Sequence, residues 1–260
     1  MTLLAPDIQA GLNDYWSRRA TAYHADQQRP DRIDGDRALW SGIWSDAVGP
    51  APARVADLGT GSGYVAWLLH DLGHEVTGVD AAAGMIEVAQ AHRDDVRSPR
   101  FVVGDAQQPP LAARSLDAVT ARHVLWTLRD PASALSRWRE LLRPGGILAV
   151  VDGLWFPDHL PSAPGVRAVG PGTREIPEAA VSWTPAEQFA RVYAEAVGAG
   201  ALPLASGVEV ADLVAVVTGA GFVDVQVEAL TEVYARDRAH GVPAGHEPTL
   251  QYLIRGRAPR

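Results

Sequence analysis

Hydrophobic positions change period along this chain, and the changes mark out its elements. In the first 50 residues, apolar side chains recur at helical spacing in two stretches, residues 7–27 and 36–48. Trp40 and Trp44 lie on the apolar face of the second stretch and are interpreted as core residues. Short apolar runs then alternate with helix-like stretches; the runs are residues 54–56, 75–79, 101–103, 116–121 and 147–151. This alternation predicts a mostly parallel sheet with helices on both faces.

After residue 151 the periodic pattern is interrupted. Residues 155–177 are rich in proline and glycine and show no period, so they are interpreted as a loop. The segment Thr184-Pro185-Ala186-Glu187 combines an N-cap, a proline at the first helical position and a capping-box glutamate, which predicts a helix start. A long loop inside a compact domain is more often a functional lid than a simple connector. We therefore expect an insertion, about residues 155–203, that caps a pocket.

The C-terminal residues add a helix and two strands. The helix is predicted over residues 208–218, immediately before a glycine-containing stop. In residues 223–228 valine alternates with polar residues, which predicts a half-buried strand, and residues 250–255 supply the last strand. Residues 236–248 between the two strands are interpreted as a loop. The complete pattern predicts a seven-stranded, mostly parallel sheet whose last strand is antiparallel.

A glycine-rich segment joins the first strand to the helix that follows it. Residues 57–63 read Asp-Leu-Gly-Thr-Gly-Ser-Gly and precede a helix-like stretch from Tyr64 to Leu72. A strand, a glycine turn and a helix in this order bring backbone close to a small ligand at the helix N-terminus. The dinucleotide fingerprint requires a glycine where this chain has Tyr64. The carboxylate of Asp57 suits a ligand with an ammonium group better than one with a pyrophosphate.

Acidic residues also end the second and third strands. Asp80 follows residues 75–79, and Asp105 comes two residues after the run 101–103. Because the carboxyl ends of neighbouring parallel strands open into one crevice, we expect both carboxylates to face the pocket of the glycine turn. A carboxylate in the position of Asp80 can accept hydrogen bonds from both hydroxyls of a ribose.

Composition restricts the class of protein. Of 260 residues, 47% are hydrophobic and 21% charged, as is typical of a soluble globular protein, and no apolar stretch is long enough to span a membrane. The net charge of −8 argues against nucleic-acid binding through a broad basic face. The absence of cysteine excludes disulfides, thiolate metal sites and a cysteine nucleophile. Residues 1–10 lack the features of a secretory signal, so a cytoplasmic location is expected.

These motifs together resemble a known family. From Arg54 to Asp152 the chain resembles class I S-adenosylmethionine-dependent methyltransferases, through DLGTGSG, Asp80 after the second strand, GDA after the third and LLRPGG before the fifth. The run ARHVLWTLRDP resembles the small-molecule branch related to the ubiquinone and menaquinone C-methyltransferases. Residues 15–23 resemble the lid helix of that branch.

The resemblance implies a fold, a domain organisation and an activity. The fold is α/β, with a Rossmann-like seven-stranded sheet; residues 1–50 form N-terminal lid helices, and residues 51–260 form a methyltransferase domain that includes the cap insertion. The activity is in-line transfer of a methyl group from S-adenosylmethionine to a small organic acceptor, which leaves S-adenosylhomocysteine. Three alternatives stay open: an enzyme that uses the same pocket for another reaction, a cofactor-binding regulator without activity, and a nicotinamide dehydrogenase, which the glycine spacing disfavours.

The resemblance also implies which residues bind the cofactor. The glycine turn would hold the amino-acid end, Asp80 the ribose, and Asp105 with the backbone of Ala106 the adenine. Asp57 can instead brace the turn, and Met85 can contact the adenine or pack in the core. The expected cofactor-binding residues are Tyr15, Tyr23, Asp57, Gly59, Thr60, Gly61, Asp80, Met85, Asp105, Ala106 and Arg122.

The sequence defines the acceptor site less sharply. His123 follows the fourth strand at the edge of the crevice, where it can act as a general base or form a structural hydrogen bond. No metal site is expected, because His240 and His246 lack the short spacing of metal ligands. Aromatic residues can build a wall for a flat or apolar acceptor, or pack in the core. The expected pocket residues are Trp16, His24, Trp126, Trp155, His159 and Trp183.

Overall fold

A seven-stranded sheet forms the centre of the fold. The computed structural model describes residues 5–91, 99–156, 185–242 and 247–260. The strands in this part of the chain are β1 Arg54–Leu58, β2 Glu75–Asp80, β3 Arg100–Val103, β4 Leu116–Arg122, β5 Leu142–Gly153, β6 Val223–Ala229 and β7 Gln251–Arg257. All five apolar runs between residues 54 and 151 lie within strands β1 to β5, as the hydrophobic pattern predicts.

The strand order is β3-β2-β1-β4-β5-β7-β6. Strands β1 to β5 pair in parallel, and β7 pairs antiparallel with both β5 and β6. The predicted mostly parallel sheet with an antiparallel last strand is therefore confirmed. The chain runs from β1 outward to β3 and then returns to β4 on the other side of β1. The connections of β1 and β4 diverge at that point, which leaves a crevice at their carboxyl ends.

Helices pack on both faces of the sheet. In the described residues they are α1 Ala5–Gln27, α2 Ile33–Val48, α3 Tyr64–Asp71, α4 Ala83–Ala91, α5 Pro131–Leu141, α6 Pro185–Gly198, α7 Val210–Gly219 and α8 Thr231–His240. Helices α2, α3 and α4 cover one face, where Trp40 and Trp44 are buried. Helices α5 and α7 cover the other face around the buried Trp138. The prediction that Trp40 and Trp44 are core residues is confirmed.

Helix α8 corrects one interpretation of the sequence. Residues 236–248 were expected to form a loop, but α8 extends from Thr231 to His240. Its buried residues are Val233 and Asp237. A helix that buries one apolar and one acidic side chain has no apolar stripe, so hydrophobic periodicity does not reveal it.

Strand β6 corrects a second interpretation of the sequence. The alternating valines predict a half-buried strand, yet Val223 and Val227 are 44% and 45% exposed. Val225 is the valine of β6 that packs, partly buried, against the core. The reason is the position of β6 at the edge of the sheet, where it pairs with one neighbour and its outer residues face solvent.

Helices α1 and α6 pack against each other beside the carboxyl edge of the sheet. Their contact is apolar and includes Leu12 of α1 with Phe189 and Tyr193 of α6. Helix α6 belongs to the predicted cap insertion, of which residues 157–184 lie outside the described residues. Each helix in the described ranges is too short or too polar to cross a membrane.

Candidate cofactor and acceptor site

A cavity of about 1060 Å³ opens at the carboxyl edge of the sheet. It extends from the glycine turn after β1 to aromatic residues of α1 and α6. Pockets for one drug-sized ligand span roughly 300–1,000 Å³. The cavity therefore has the size for a cofactor and a second small molecule.

The glycine turn forms one wall of the cavity through its backbone. Gly59, Gly61 and Gly63 have φ values of 66°, 55° and 87°, in the left-handed region that favours glycine. A Cβ atom on Gly59 would lie 2.3 Å from Cγ2 of Val124. Gly59 and Gly61 both line the cavity. The absence of side chains here lets a ligand approach the backbone closely.

Asp57 lies beneath the turn. Its carboxylate accepts hydrogen bonds from Oγ1 of Thr60 at 2.6 Å and from Oγ1 of Thr120 at 2.9 Å. Burial raises the pKa of Asp57 to about 6, against these two hydrogen bonds. Neither Asp57 nor Thr60 is among the residues that line the cavity. Of the two roles that the sequence left open, this geometry favours bracing of the turn.

Asp80 lies at the cavity wall, at the end of β2. One carboxylate oxygen accepts a hydrogen bond from the Gly61 amide and the other from the Ala82 amide, both at 2.8 Å. Burial raises the pKa of Asp80 above its usual value. A carboxylate oxygen can accept more than one hydrogen bond, so both remain able to bind ligand hydroxyls. Asp80 therefore orients the glycine turn and faces the cavity at the same time.

Asp105 and Ala106 line the cavity after β3. Asp105 forms an ion pair with Arg129 and accepts a hydrogen bond from the Gln107 amide at 2.9 Å. The Ala106 carbonyl accepts a hydrogen bond from Nε1 of Trp138 at 2.7 Å. Arg129 also lines the cavity, and the sequence analysis did not identify it.

Met85 and Arg122 complete the part of the wall nearest the turn. Met85 lines the cavity and packs in an apolar cluster with Ala20 and Ala82. The guanidinium of Arg122 lies between two aromatic rings, 4.8 Å from the centre of Trp40 and 4.9 Å from that of Tyr64. Such stacking holds a cation in place while leaving its edge available for hydrogen bonds.

Aromatic side chains form the opposite end of the cavity. We call this set the aromatic wall: Trp16, Trp126, Trp155, Phe156, Phe189 and Tyr193. The ring centres of Trp126 and Tyr193 are 4.7 Å apart, and Nε1 of Trp16 donates a hydrogen bond to the Tyr193 hydroxyl at 2.8 Å. Phe156, Phe189 and Tyr193 were not among the expected site residues. Phe189 and Tyr193 enter the wall because α6 packs against α1, whereas Phe156 follows β5.

Asp152 supports the aromatic wall from behind. Its carboxylate accepts hydrogen bonds from Nε1 of Trp155 at 2.6 Å, the Gly153 amide at 2.9 Å and the Trp126 amide at 3.2 Å. Burial raises the pKa of Asp152 to about 6. The sequence analysis did not assign Asp152, although an acid directly after an apolar strand was a signal for it.

His123 lies between the glycine turn and the aromatic wall. It lines the cavity, its φ is 62°, and its ring meets Trp155 edge to face at 4.7 Å between centres. Nε2 lies 2.8 Å from Oε1 of Gln251. His123 thus combines a structural hydrogen bond with a place at the cavity.

The remaining expected residues have different positions. Tyr23 and Trp16 line the cavity, whereas Tyr15 is buried against Trp16 and Phe189 and is not part of the lining. Nδ1 of His24 lies 3.3 Å from Oγ of Ser62, and His24 is not among the lining residues. His159 and Trp183 lie outside the described residues. Among the described residues, no three His, Asp or Glu side chains form a group that could hold a metal ion.

Comparison with known proteins finds similarity in the central region of the chain. Residues 56–150 match a family model described as a methyltransferase domain. The demethylmenaquinone methyltransferase of Renibacterium salmoninarum is 34% identical over 119 residues, which are 45% of this chain and 49% of that protein. The ubiquinone biosynthesis O-methyltransferase of Albidiferax ferrireducens is 35% identical over 107 residues, 40% of this chain and 42% of that protein. The chain thus matches these curated relatives over less than half of their length.

Solved structures show the same fold over more of the chain. A phosphoethanolamine N-methyltransferase 2 of Haemonchus contortus superposes with a TM-score of 0.62 at 15% identity, and covers 94% of this chain and 57% of its own. The sequence match, the strand order and the glycine turn all point to the same kind of domain. Residues 56–150 thus match a methyltransferase domain, and the strand order is the one expected from the resemblance to class I S-adenosylmethionine-dependent methyltransferases.

Proposed function

We propose that the protein transfers a methyl group from S-adenosylmethionine to a small, largely apolar organic acceptor. One observation carries this proposal: a single cavity has Asp80 and the glycine turn at one end and the aromatic wall at the other. The first end has the groups that a nucleoside with an amino-acid tail requires. The second end has the groups that a flat organic molecule requires.

The cofactor would lie along the glycine turn. Asp80 would accept hydrogen bonds from the ribose hydroxyls, and the guanidinium of Arg122 can pair with the carboxylate of the amino-acid end. Asp105, Ala106 and Met85 would surround the adenine. Asp57 and Thr60 act indirectly, because their hydrogen bond holds the turn in shape.

Methyl transfer requires mainly that the protein align the acceptor with the methyl group. When bound, S-adenosylmethionine supplies a methyl group activated by a sulfonium. The residues of this chain hold the acceptor in line with that methyl group and exclude water. Helix α1 contributes to exclusion, since Leu12, Trp16 and Tyr23 lie over the cavity. Where the acceptor loses a proton, His123 is a cavity residue that can accept it.

The aromatic wall indicates the kind of acceptor. Its six side chains present ring faces and edges, which bind flat apolar molecules and also attract cations. The curated relatives are named for different acceptors, so the acceptor class is inferred from this wall. His24, His159 and Trp183 remain predictions for the acceptor pocket.

Replacing Asp80 tests the proposal. Asp80→Ala should weaken S-adenosylmethionine binding by about 2–4 kcal/mol, since it removes one or two charge-assisted hydrogen bonds. Calorimetry measures this loss. Asp71→Ala is the matched control, because Asp71 is an acid at the end of α3 whose ion pair with Arg37 is exposed. Equal affinity of the Asp80 variant and the wild type would contradict the ribose assignment.

Product analysis separates methyl transfer from the alternatives. Incubation with S-adenosylmethionine and a set of flat acceptors should produce S-adenosylhomocysteine and an acceptor heavier by one methylene group. An enzyme of another reaction type would convert its substrate without forming S-adenosylhomocysteine. A regulator would bind the cofactor and release it unchanged.

A further inference from the structure

A chain of hydrogen bonds connects His123 to Arg32, the N-cap residue of helix α2. Nε2 of His123 lies 2.8 Å from Oε1 of Gln251, and Nε2 of Gln251 lies 3.1 Å from Oδ2 of Asp237. Nη2 of Arg32 donates to the other oxygen of Asp237 at 2.8 Å. Gln251 and Asp237 are 3% and 6% exposed. Arg32 is the N-cap residue of α2, Asp237 lies in α8 and Gln251 begins β7, so the hydrogen bonds link these three elements to His123.

The chemistry of each group sets the direction of the hydrogen bonds. A guanidinium only donates, and the carboxylate of Asp237 in its ion pair only accepts. The side-chain N–H of Gln251 must then point at Asp237, which turns Oε1 towards His123. A carbonyl oxygen accepts, so Nε2 of His123 has to donate. In the neutral ring the proton is therefore on Nε2, and Nδ1 is the basic nitrogen.

The backbone of His123 has an uncommon conformation. Its φ of 62° lies in the left-handed region, which is uncommon for residues other than glycine. The amide of His123 donates to the Val151 carbonyl at 2.8 Å, and Trp155 covers one side of the ring. Residues with strained backbone are concentrated at active sites and ligand-binding sites, where the surrounding structure holds them in place.

We propose that Asp237 and Gln251 are positioning residues that keep the ring proton of His123 on Nε2, which makes Nδ1 the nitrogen that accepts the proton of the methyl acceptor. The second part rests on the proposed function. For a hydroxyl acceptor, the O–C bond forms as the C–S bond breaks, and the electron pair of that bond stays on sulfur. The hydroxyl proton goes to Nδ1, and the imidazolium then has protons on both nitrogens.

We call the hydrogen bonds from Arg32 through Asp237 and Gln251 to His123 the relay. Replacing the carboxylate of Asp237 with an amide tests the relay and needs no methyl acceptor. With histidine labelled with ¹⁵N, two-bond ¹H–¹⁵N correlations identify the protonated ring nitrogen, and His123→Asn assigns the signal. The wild type should show Nε2–H. In Asp237→Asn, Arg32 still donates to the side-chain oxygen at 237, so the new amide N–H faces Gln251. The side-chain amide of Gln251 should then rotate by about 180°, so that its oxygen accepts from residue 237 and its N–H faces Nε2 of His123. Nε2 would then accept a hydrogen bond, and the ring proton should move to Nδ1.

A double variant and a control make the test specific. Gln251→Glu with Asp237→Asn keeps the shape and the total charge, and its carboxylate at 251 only accepts, so the proton should return to Nε2. Asp36→Asn is the control: Asp36 forms ion pairs with Arg32 and Arg236, and Gln251 donates its hydrogen bond to Asp237, so the replacement should leave the proton on Nε2.

The outcomes separate the relay from the proposed function. A wild-type proton on Nδ1, or an unchanged Nε2–H in Asp237→Asn, would overturn the relay. If Asp237→Asn does not fold, the wild type and the double variant still test the relay. Both are expected to have the ring proton on Nε2, so a proton on Nδ1 in either protein contradicts the proposal. Calorimetry with S-adenosylmethionine serves a different purpose. Absence of binding in the wild type would defeat the proposed function and leave the proton assignment intact.

Discussion

Carboxylates near the ends of three parallel strands have different tasks in this protein. Asp57 in β1 accepts hydrogen bonds from two threonine hydroxyls and braces the glycine turn. Asp80, the last residue of β2, orients the same turn and faces the cavity. Asp152 at the end of β5 holds two tryptophans of the aromatic wall. The residue type is the same in each case, and the neighbouring donors decide the role.

Asp57 should make the stability of the protein depend on pH. Burial raises its pKa from 3.8 to about 6, so the native state binds the proton more tightly than the unfolded state. The free energy of unfolding should therefore fall as the pH rises through the interval between these two values, and remain lower above it. The contribution of Asp57 is on the order of 3 kcal/mol.

Asp57→Asn should remove this contribution. Urea unfolding at a series of pH values would show a smaller fall for the variant than for the wild type between about pH 4 and pH 6. Asp71→Asn, at an exposed carboxylate, should leave the profile unchanged. Parallel curves for Asp57→Asn and the wild type would show that Asp57 has an ordinary pKa.

At the scale of elements, helix α1 covers the cavity and two other helices hold it there. The Trp16 indole donates to the Tyr193 hydroxyl of α6. Near Gly84 of α4 the backbones approach closely, because a Cβ atom on Gly84 would lie 2.5 Å from the carbonyl oxygen of Ser17. The position of α1 therefore depends on contacts with α4 and α6.

Cofactor binding should protect α1 from exchange. We expect amides of residues 12–24 to exchange more slowly with S-adenosylhomocysteine bound, since Tyr23 and Trp16 would then pack on a filled cavity. Hydrogen exchange followed by mass spectrometry measures this. Equal protection with and without ligand would mean that α1 is a fixed part of the core. We expect the same slower exchange in residues 155–177, most of which lie outside the described ranges.

Gly84→Ala should displace α1 from the cavity. The added methyl group meets backbone, which has to shift, so we expect roughly tenfold weaker binding of S-adenosylmethionine, about 1.4 kcal/mol. Gly42→Ala is the matched control, because Gly42 lies in helix α2 with no atom within 4 Å of an added Cβ. That change should stabilise the fold by about 0.5–1 kcal/mol and leave binding unchanged. Similar affinities of the two variants would contradict this account of α1.

At the scale of the whole molecule, the strand order locates the site. The order reverses between β1 and β4, and ligands of open α/β sheets bind at such points. The glycine turn follows β1, and His123 follows β4, so both ends of the site start from this reversal. Helices α1 and α6 then close the cavity from outside the sheet.

Ligand-linked stability should show which nucleotide this arrangement accepts. S-adenosylhomocysteine at 100 times its Kd should raise the free energy of unfolding by about 2.7 kcal/mol. NAD should produce no change, because the turn has Tyr64 where a dinucleotide fold has its third glycine. Chemical unfolding with each ligand measures both effects. Stabilisation by NAD instead would support the dehydrogenase interpretation.

The sequence by itself determined the sheet and one end of the site. Apolar runs alternate with stretches of helical spacing, the glycine turn follows β1, Asp80 ends β2 and Asp105 follows β3. These features depend on backbone preferences and on residues close together in the chain, which a linear pattern records. Gly59 and Gly61 illustrate this, since their positive φ values are a property of glycine.

The tertiary structure decided the other end of the site. Gln251 meets His123 across 128 positions of the sequence, and Tyr193 meets Trp16 across 177. Helix α8 has no apolar stripe, and the exposure of Val223 and Val227 follows from the place of β6 at the sheet edge. Partners so far apart leave no periodic signal in the chain. They meet because packing of whole elements brings them together, and periodicity describes one element at a time.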